Sequence, residues 1–167
     1  MVKQMILIHP ETYSFLTALK ENNDREWFTR NKKEYQKAHA NIAGFMDALL
    51  TEMNKIDNIE SESGKKSLFR IYRDVRFSKD KSLYKTHFAA SLKRATRWLR
   101  GGYYIHFEPG NTIVGCGFWN PNSDDLKLIR DELTHDAKPL KAIIDDLEFK
   151  KVFGHLKGES VKTAPRG

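Results

Sequence analysis

The sequence predicts an α+β fold, and three observations carry that prediction. Apolar residues recur at helical spacing near the N-terminus. They alternate with polar residues through the middle of the chain. Helical spacing then returns toward the C-terminus. Helices, then strands, then helices is the order of an α+β domain, not of a parallel α/β fold in which strands and helices alternate. The expected architecture is an antiparallel sheet of about four or more strands, with N-terminal and C-terminal helices packed on one face. The 167 residues suit a single domain spanning 1–167, since domains commonly run to roughly 100–200 residues.

The first helix is expected over residues 11–20, because Pro10 just before it is tolerated at a helix start. Glu21, Asn22 and Asn23 form a turn, and Asp24 is a good N-cap for a second helix running from Arg25 through Trp27, Phe28 and Tyr35 toward His39. Ile42, Phe45, Met46, Leu49, Met53 and Ile56 fall at three- and four-residue spacing and predict a third, core-facing helix. Residues 60–64 are a polar loop. Period two then takes over: Phe69 and Ile71, then Phe88, Ala90 and Leu92, then Tyr103, Ile105 and Phe107 alternate with polar neighbours. Pro109, Gly110 and Asn111 make a turn, and Val114, Cys116 and Phe118 continue on the next strand. Two last helices are expected, over residues 124–135 with Ser123 as N-cap, and over about 139–153.

Composition narrows the setting. Hydrophobic residues make up 40% and aromatics 11%, enough for a core and against disorder. Cys116 is the single cysteine, which excludes an intrachain disulfide and fits a reducing compartment. The apolar run over residues 5–8 is too short for a signal core or a membrane span. A cytoplasmic protein with no membrane association is expected.

The net charge is +7, and it is localised. Arg70, Arg73, Arg76, Lys79, Lys81, Lys85, Lys93, Arg94, Arg97 and Arg100 face only Asp74 and Asp80 within residues 70–100, while the rest of the chain holds 19 basic and 20 acidic residues. Such an excess attracts phosphate esters, nucleic acid or acidic protein.

If the apolar alternates face the helices, the other sheet face collects Arg70, Tyr72, Asp74, Arg76, His87, Ser91, Tyr104, His106 and Glu108. Gly115 and Gly117 fall on that face too, where they leave room for a close approach. Arginine's planar fork suits phosphate or carboxylate oxygens. The loop Ser78-Lys79-Asp80-Lys81-Ser82 could surround an anion. The candidate ligand-binding residues are Arg70, Arg73, Arg76, Ser78, Lys79, Lys81 and Lys85. Asp74, Asp80, Tyr84, His87, Tyr104 and His106 are candidate acid–base or orienting groups. The structural alternative is that Asp74 and Asp80 pair with neighbouring arginines and pin the loop.

Other constellations carry less. His87 and His106 with Glu108 or Asp74 match no metal-ligand signature, so no metal and no cofactor is expected. Cys116 reads as a core residue rather than a nucleophile. Trp27 with Asn23 and Arg25 could cap a pocket, although a tryptophan on a helix more often anchors a core. The chain carries no GxSxG, Walker loop, Rossmann fingerprint, HExxH or CxxC.

Several segments resemble the bacterial family designated domain of unknown function 2461. They are Glu11-Thr-Tyr-Ser-Phe-Leu, Asn22-Asn-Asp-Arg-Glu-Trp-Phe, Asn31-Lys-Lys-Glu-Tyr, Arg70-Ile-Tyr-Arg-Asp-Val-Arg-Phe-Ser-Lys-Asp-Lys, Tyr84-Lys-Thr-His and Gly102-Tyr-Tyr-Ile-His-Phe-Glu-Pro. The likeness covers nearly the whole chain and implies no activity. Leu83 departs from the proline usual in that family. Members also usually continue past Ala164-Pro-Arg-Gly, so the expectation here is either a truncated form or a missing final packing layer, with room for a partner chain, such as a second copy in a homo-oligomer, to cover apolar surface. Three functions follow: a site for a phosphorylated or carboxylated small molecule, nucleic-acid binding through residues 70–100, and a structural or interaction module with no ligand.

Overall fold

A computed structural model describes residues 6–155. It is α+β, with seven helices and a three-stranded antiparallel sheet among the described residues. The chain divides into two compact units, Met1–Trp119 and Asn120–Gly167.

In the first unit, α1 (Pro10–Glu21) buries Phe15, Leu16 and Leu19. A short α2 (Arg25–Arg30) follows, capped as its sequence predicts: the Asp24 carboxylate accepts from Trp27 N at 2.8 Å. The chain breaks earlier than expected. Asn31, with φ −99° and ψ 17°, separates α2 from α3 (Lys32–Met53), and its side-chain amide donates to Trp27 O at 2.9 Å. The two predicted helices on either side of residue 40 are therefore one, since nothing at His39, Ala40 or Asn41 interrupts the backbone ladder. Ala38, Ile42, Met46 and Leu50 form the buried stripe of α3, whereas Ile56 lies beyond the helix end and is exposed.

Part of the polar loop becomes α4 (Gly64–Ser67), with Ser63 as its cap. Gly64 seats this turn against α3: its N–H donates to Asp47 Oδ1 at 2.6 Å. A Cβ there would stand 2.2 Å from Ala43 O, so no other residue fits without moving backbone.

Strands β1 (Phe88–Lys93), β2 (Gly102–Phe107) and β3 (Ile113–Gly117) pair in that order. Phe88 is opposite Phe107, Ala90 opposite Ile105 and Leu92 opposite Tyr103. Those alternates, with Phe15, Leu16, Leu19, Phe28, Ile42 and Met46, make one hydrophobic core. Val114 and Cys116 continue the same face, opposite Ile105 and Tyr103, yet both are exposed. Cys116 is thus no core residue, because β3 is the outer strand and no core residue belongs to it.

The sequence pattern predicts four or more strands; the described residues form three. Residues 68–73 nonetheless run antiparallel to residues 83–90. Phe69 N donates to Ala89 O, Lys85 N to Ile71 O and Arg73 N to Leu83 O, at 2.8–3.0 Å, with isolated bridges Leu68–Ala90 and Tyr72–Tyr84. The register slips between the two bridges, so Thr86, His87 and Phe88 together face Arg70. This bulge breaks the ladder, which is why no regular strand forms.

The second unit holds α5 (Ser123–His135), α6 (Lys138–Asp145) and α7 (Leu147–Phe153). Asn122, not Ser123, caps α5, accepting from Asp125 N at 2.9 Å. The last predicted helix splits at Asp146, which leaves the helical region and caps α7 through Phe149 N. No described residue of these helices is buried.

Candidate functional site: a cleft at the bulged hairpin

The basic block is the tip of a hairpin. The Arg73–Leu83 hydrogen bond closes it, and residues 74–82 form the loop. Its base is tied to the N-terminal helices by Asn23. That side chain donates to Tyr84 O and accepts from Tyr84 N, both at 2.9 Å, so it acts like one residue of a partner strand. The Tyr84 ring stacks on Phe28, with centroids 4.0 Å apart and planes 9° apart. Burial raises the pKa of its phenol. Tyr84 is therefore mainly a packing residue.

Between the hairpin and the end of α1 lies an open cleft of about 560 Å³. Lys20, Arg73, Ser82, Lys85 and His87 are among its lining groups, with Asn23, Asp74, Asp80 and Thr86 beside them. Inside the loop, Arg73 Nη1 bonds both Asp80 and Ser82 Oγ. Asp80 Oδ1 also accepts from Ser82 N at 2.9 Å and from Ser82 Oγ at 2.8 Å. The Arg73 guanidinium and these Ser82 donors hold the Asp80 carboxyl well below the usual range. Asp74 takes a two-pronged bond from Arg76, Nε at 3.0 Å and Nη2 at 2.6 Å, and its pKa falls for that reason.

Both carboxylates at the cleft thus have guanidinium partners. The two ammonium groups do not. Neither Lys20 nor Lys85 is in an ion pair among the described residues. Lys85 Nζ lies 5.6 Å from the centre of the Phe69 ring. Burial first, and then the positive charge of Arg70, lower its pKa.

His87 is aimed by the bulge, out of the core that Phe88 enters. Its ring lies over His106, with centroids 4.1 Å apart. Burial and the charges of His106, Lys85 and Arg73 pull its pKa down to about 4 against the opposing pull of Glu108, so it is neutral near pH 7. Behind it, three alternate residues of the second strand and its exit are bonded in series. Tyr104 Oη is 3.0 Å from His106 Nδ1, and His106 Nε2 is 3.2 Å from Glu108 Oε2. Asn111 donates to the same Glu108 oxygen at 2.9 Å, and with His106 it lowers the Glu108 pKa. An ionised Glu108 only accepts, so His106 carries its proton on Nε2. In the neutral ring Nδ1 then accepts from the Tyr104 hydroxyl.

The predicted residues divide accordingly. Arg73, Asp74, Asp80, Lys85 and His87 line one cleft, and His106 and Tyr104 extend from it through the stacked imidazoles. Arg70, Arg76, Lys79 and Lys81 are exposed and outside the lining; Lys81 Nζ donates to Val75 O at 3.0 Å. Ser78 is half-buried and bonds Val75 O through its own N–H. Sequence reasoning missed Lys20 and Thr86, and named Ser82 only as the end of the anion-surrounding loop. Lys20 carried no signal. Gly115 and Gly117 do leave open space: a Cβ at either would meet nothing within 4 Å. Among the described residues no cluster of three metal-ligating groups is present, and no helix is long and apolar enough to cross a membrane.

Fold and site together define a small α+β protein with a cationic cleft beside a bulged antiparallel hairpin. The chain belongs to the family described as conserved hypothetical protein DUF2461, whose model matches residues 11–167. No match to it is found among curated proteins or among solved structures.

Proposed function

We propose that the cleft binds a small phosphorylated or carboxylated molecule, with His87 and the Tyr104–His106–Glu108 chain as its proton-handling groups. The observation that carries this reading is Lys85. Its ammonium is partly desolvated at the cleft wall and, among the described residues, in no ion pair, a costly arrangement that a bound anion relieves. Arg73, held rigid by Asp80 and Ser82, would present its remaining N–H donors in a fixed fork. Asn23, Thr86 and neutral His87 supply uncharged hydrogen-bonding partners.

A thermal-shift screen with inorganic phosphate, nucleotides, sugar phosphates and dicarboxylates tests it. At least one compound should raise the melting temperature, and Lys85→Met should remove that shift while leaving the unliganded protein folded. A flat screen, or a shift that survives Lys85→Met, overturns the reading. The Arg73–Asp80 and Arg76–Asp74 pairs favour a second one, in which the loop is pinned on itself with no ligand; the flat screen is its expected result.

A further inference from the structure

The chain of residues behind His87 ends in an exposed hydroxyl. Tyr104, His106 and Glu108 are alternate residues, so the pleat sets all three on one sheet face. Asn111 steadies the Glu108 carboxylate with a bond at 2.9 Å. Glu108 keeps the His106 proton on Nε2, and Nδ1 is left to accept from the Tyr104 hydroxyl. With its hydrogen turned to the imidazole, the phenolic oxygen directs its lone pairs elsewhere. The Glu108 and His106 side chains are largely covered, at 22% and 13% exposed, whereas Tyr104 is 40% exposed. The reactive end of the series is thus the end that a ligand can reach. A carboxylate that orients an imidazole, whose other nitrogen takes a hydroxyl proton, is an arrangement that activates a nucleophile.

The surroundings of that oxygen suit a phosphate ester. Across the ladder Tyr104 is opposite Ser91 on one side and Gly115 on the other. Gly115 places no side chain there, and a Cβ on it would meet nothing within 4 Å, so one flank of the phenol is open. Phe69 joins the phenol to the cleft. Its ring centre is 6.4 Å from that of Tyr104 and 5.6 Å from Lys85 Nζ. An ester seated beside Phe69 therefore has an ammonium group and an activated hydroxyl as neighbours. Phosphoryl transfer asks a protein mainly for positioning and positive charge. Acyl transfer depends instead on paired donors aimed at one oxygen. The cations thus favour phosphorus over carbon as the electrophile.

We propose that Tyr104 is a catalytic nucleophile that takes a phosphoryl group from a phosphate ester, with His106 as its base and Glu108 as a positioning residue. The proposal rests on the anion-binding reading of the cleft. Tyr104 Oη attacks phosphorus as its proton passes to His106 Nδ1. The P–Oη bond forms, the bond to the ester oxygen breaks, and the departing oxygen takes the proton. Water, deprotonated by the same nitrogen, then attacks phosphorus, the P–Oη bond breaks, and the proton returns to the phenol. The net reaction is ester hydrolysis. The test gives the full chain p-nitrophenyl phosphate and, separately, bis(p-nitrophenyl) phosphate, which distinguish a monoester from a diester. Nitrophenol should be released from one of them, and mass spectrometry after rapid quenching should find the phosphoryl group on Tyr104. Tyr104→Phe keeps the ring beside Phe69. It should lose release and label, while the same ester still raises its melting temperature. Glu108→Gln, which offers His106 Nε2 a donor, should slow release roughly 100- to 10,000-fold. No release from either ester, release without label on Tyr104, or release that survives Tyr104→Phe overturns the proposal and leaves anion binding standing. A melting temperature that no anion raises removes the binding reading and this inference with it.

Discussion

The basic segment has two halves that handle the same charge differently. In residues 70–87 the arginines near the cleft meet carboxylates: Arg73 pairs with Asp80 and Arg76 with Asp74. In residues 93–100 Arg94 finds one, in Asp57, and the Arg97 and Arg100 guanidinium groups lie over the rings of Trp98 and Phe118. The first arrangement fixes side chains around a hollow. The second sets guanidinium groups against aromatic rings. Net charge read from composition shows neither, because it counts charges without their partners.

The comparison can be broken most forcefully at the anchor of the first half. Asn23→Ala should cost about 2–3 kcal/mol, since it strips both main-chain bonds from Tyr84 and leaves a partly buried N–H and C=O unmet. Chemical denaturation measures this, and a loss below about 0.5 kcal/mol would show that water replaces the amide.

Acid should separate the two halves next. The His87 pKa is lowered to about 4 in the folded protein, below its unfolded value near 6.5. The unfolded chain then binds more protons between those values, so stability should fall as pH drops from about 6.5 toward 4. His87→Gln should flatten this stretch of the profile, and an NMR titration should show the imidazole neutral until near pH 4. At lower pH Asp57 takes over. Hydrogen bonds from Arg94 and Tyr103 hold its carboxyl at about 2, so its contribution is present above about pH 4 and lost as pH falls toward 2. Asp57→Asn should remove that second decline.

The smallest effects sharpen the contrast. Arg73→Ala should lower the melting temperature, because Asp80 and Ser82 lose their shared partner. Arg97→Ala should leave it unchanged, since the residue holds only an exposed ring. Equal shifts in a parallel thermal melt would mean that the two halves do not differ in structural role.

What the sequence made legible is what depends on neighbours along the chain. Asp24 caps its helix by accepting from an amide three residues on. The alternation around Phe88, Ala90, Leu92, Ile105 and Phe107 identifies the buried face, and the polar alternates place His106 and Tyr104 together on the other. What stayed hidden depends on pairing. The bulge that turns His87 toward the cleft exists only relative to residues 69–71, and a period-two pattern cannot report a register slip. The exposure of Cys116 depends on its strand's place in the sheet, which the alternation does not encode. Asn23 reads as a turn residue and, with Trp27 and Arg25, as a group that could cap a pocket; its bonds to Tyr84 stayed hidden because that partner is 61 positions away.

That distance along the chain bears on folding order. The hairpin loop can close locally, but its base is fixed only when an amide between the first two helices arrives, after a long segment of chain has been brought round at an entropic cost. The anion-facing groups should therefore acquire their final positions late, after the helices have docked. Pulse-labelled hydrogen exchange would show the amide of Tyr84 protected after those of α3.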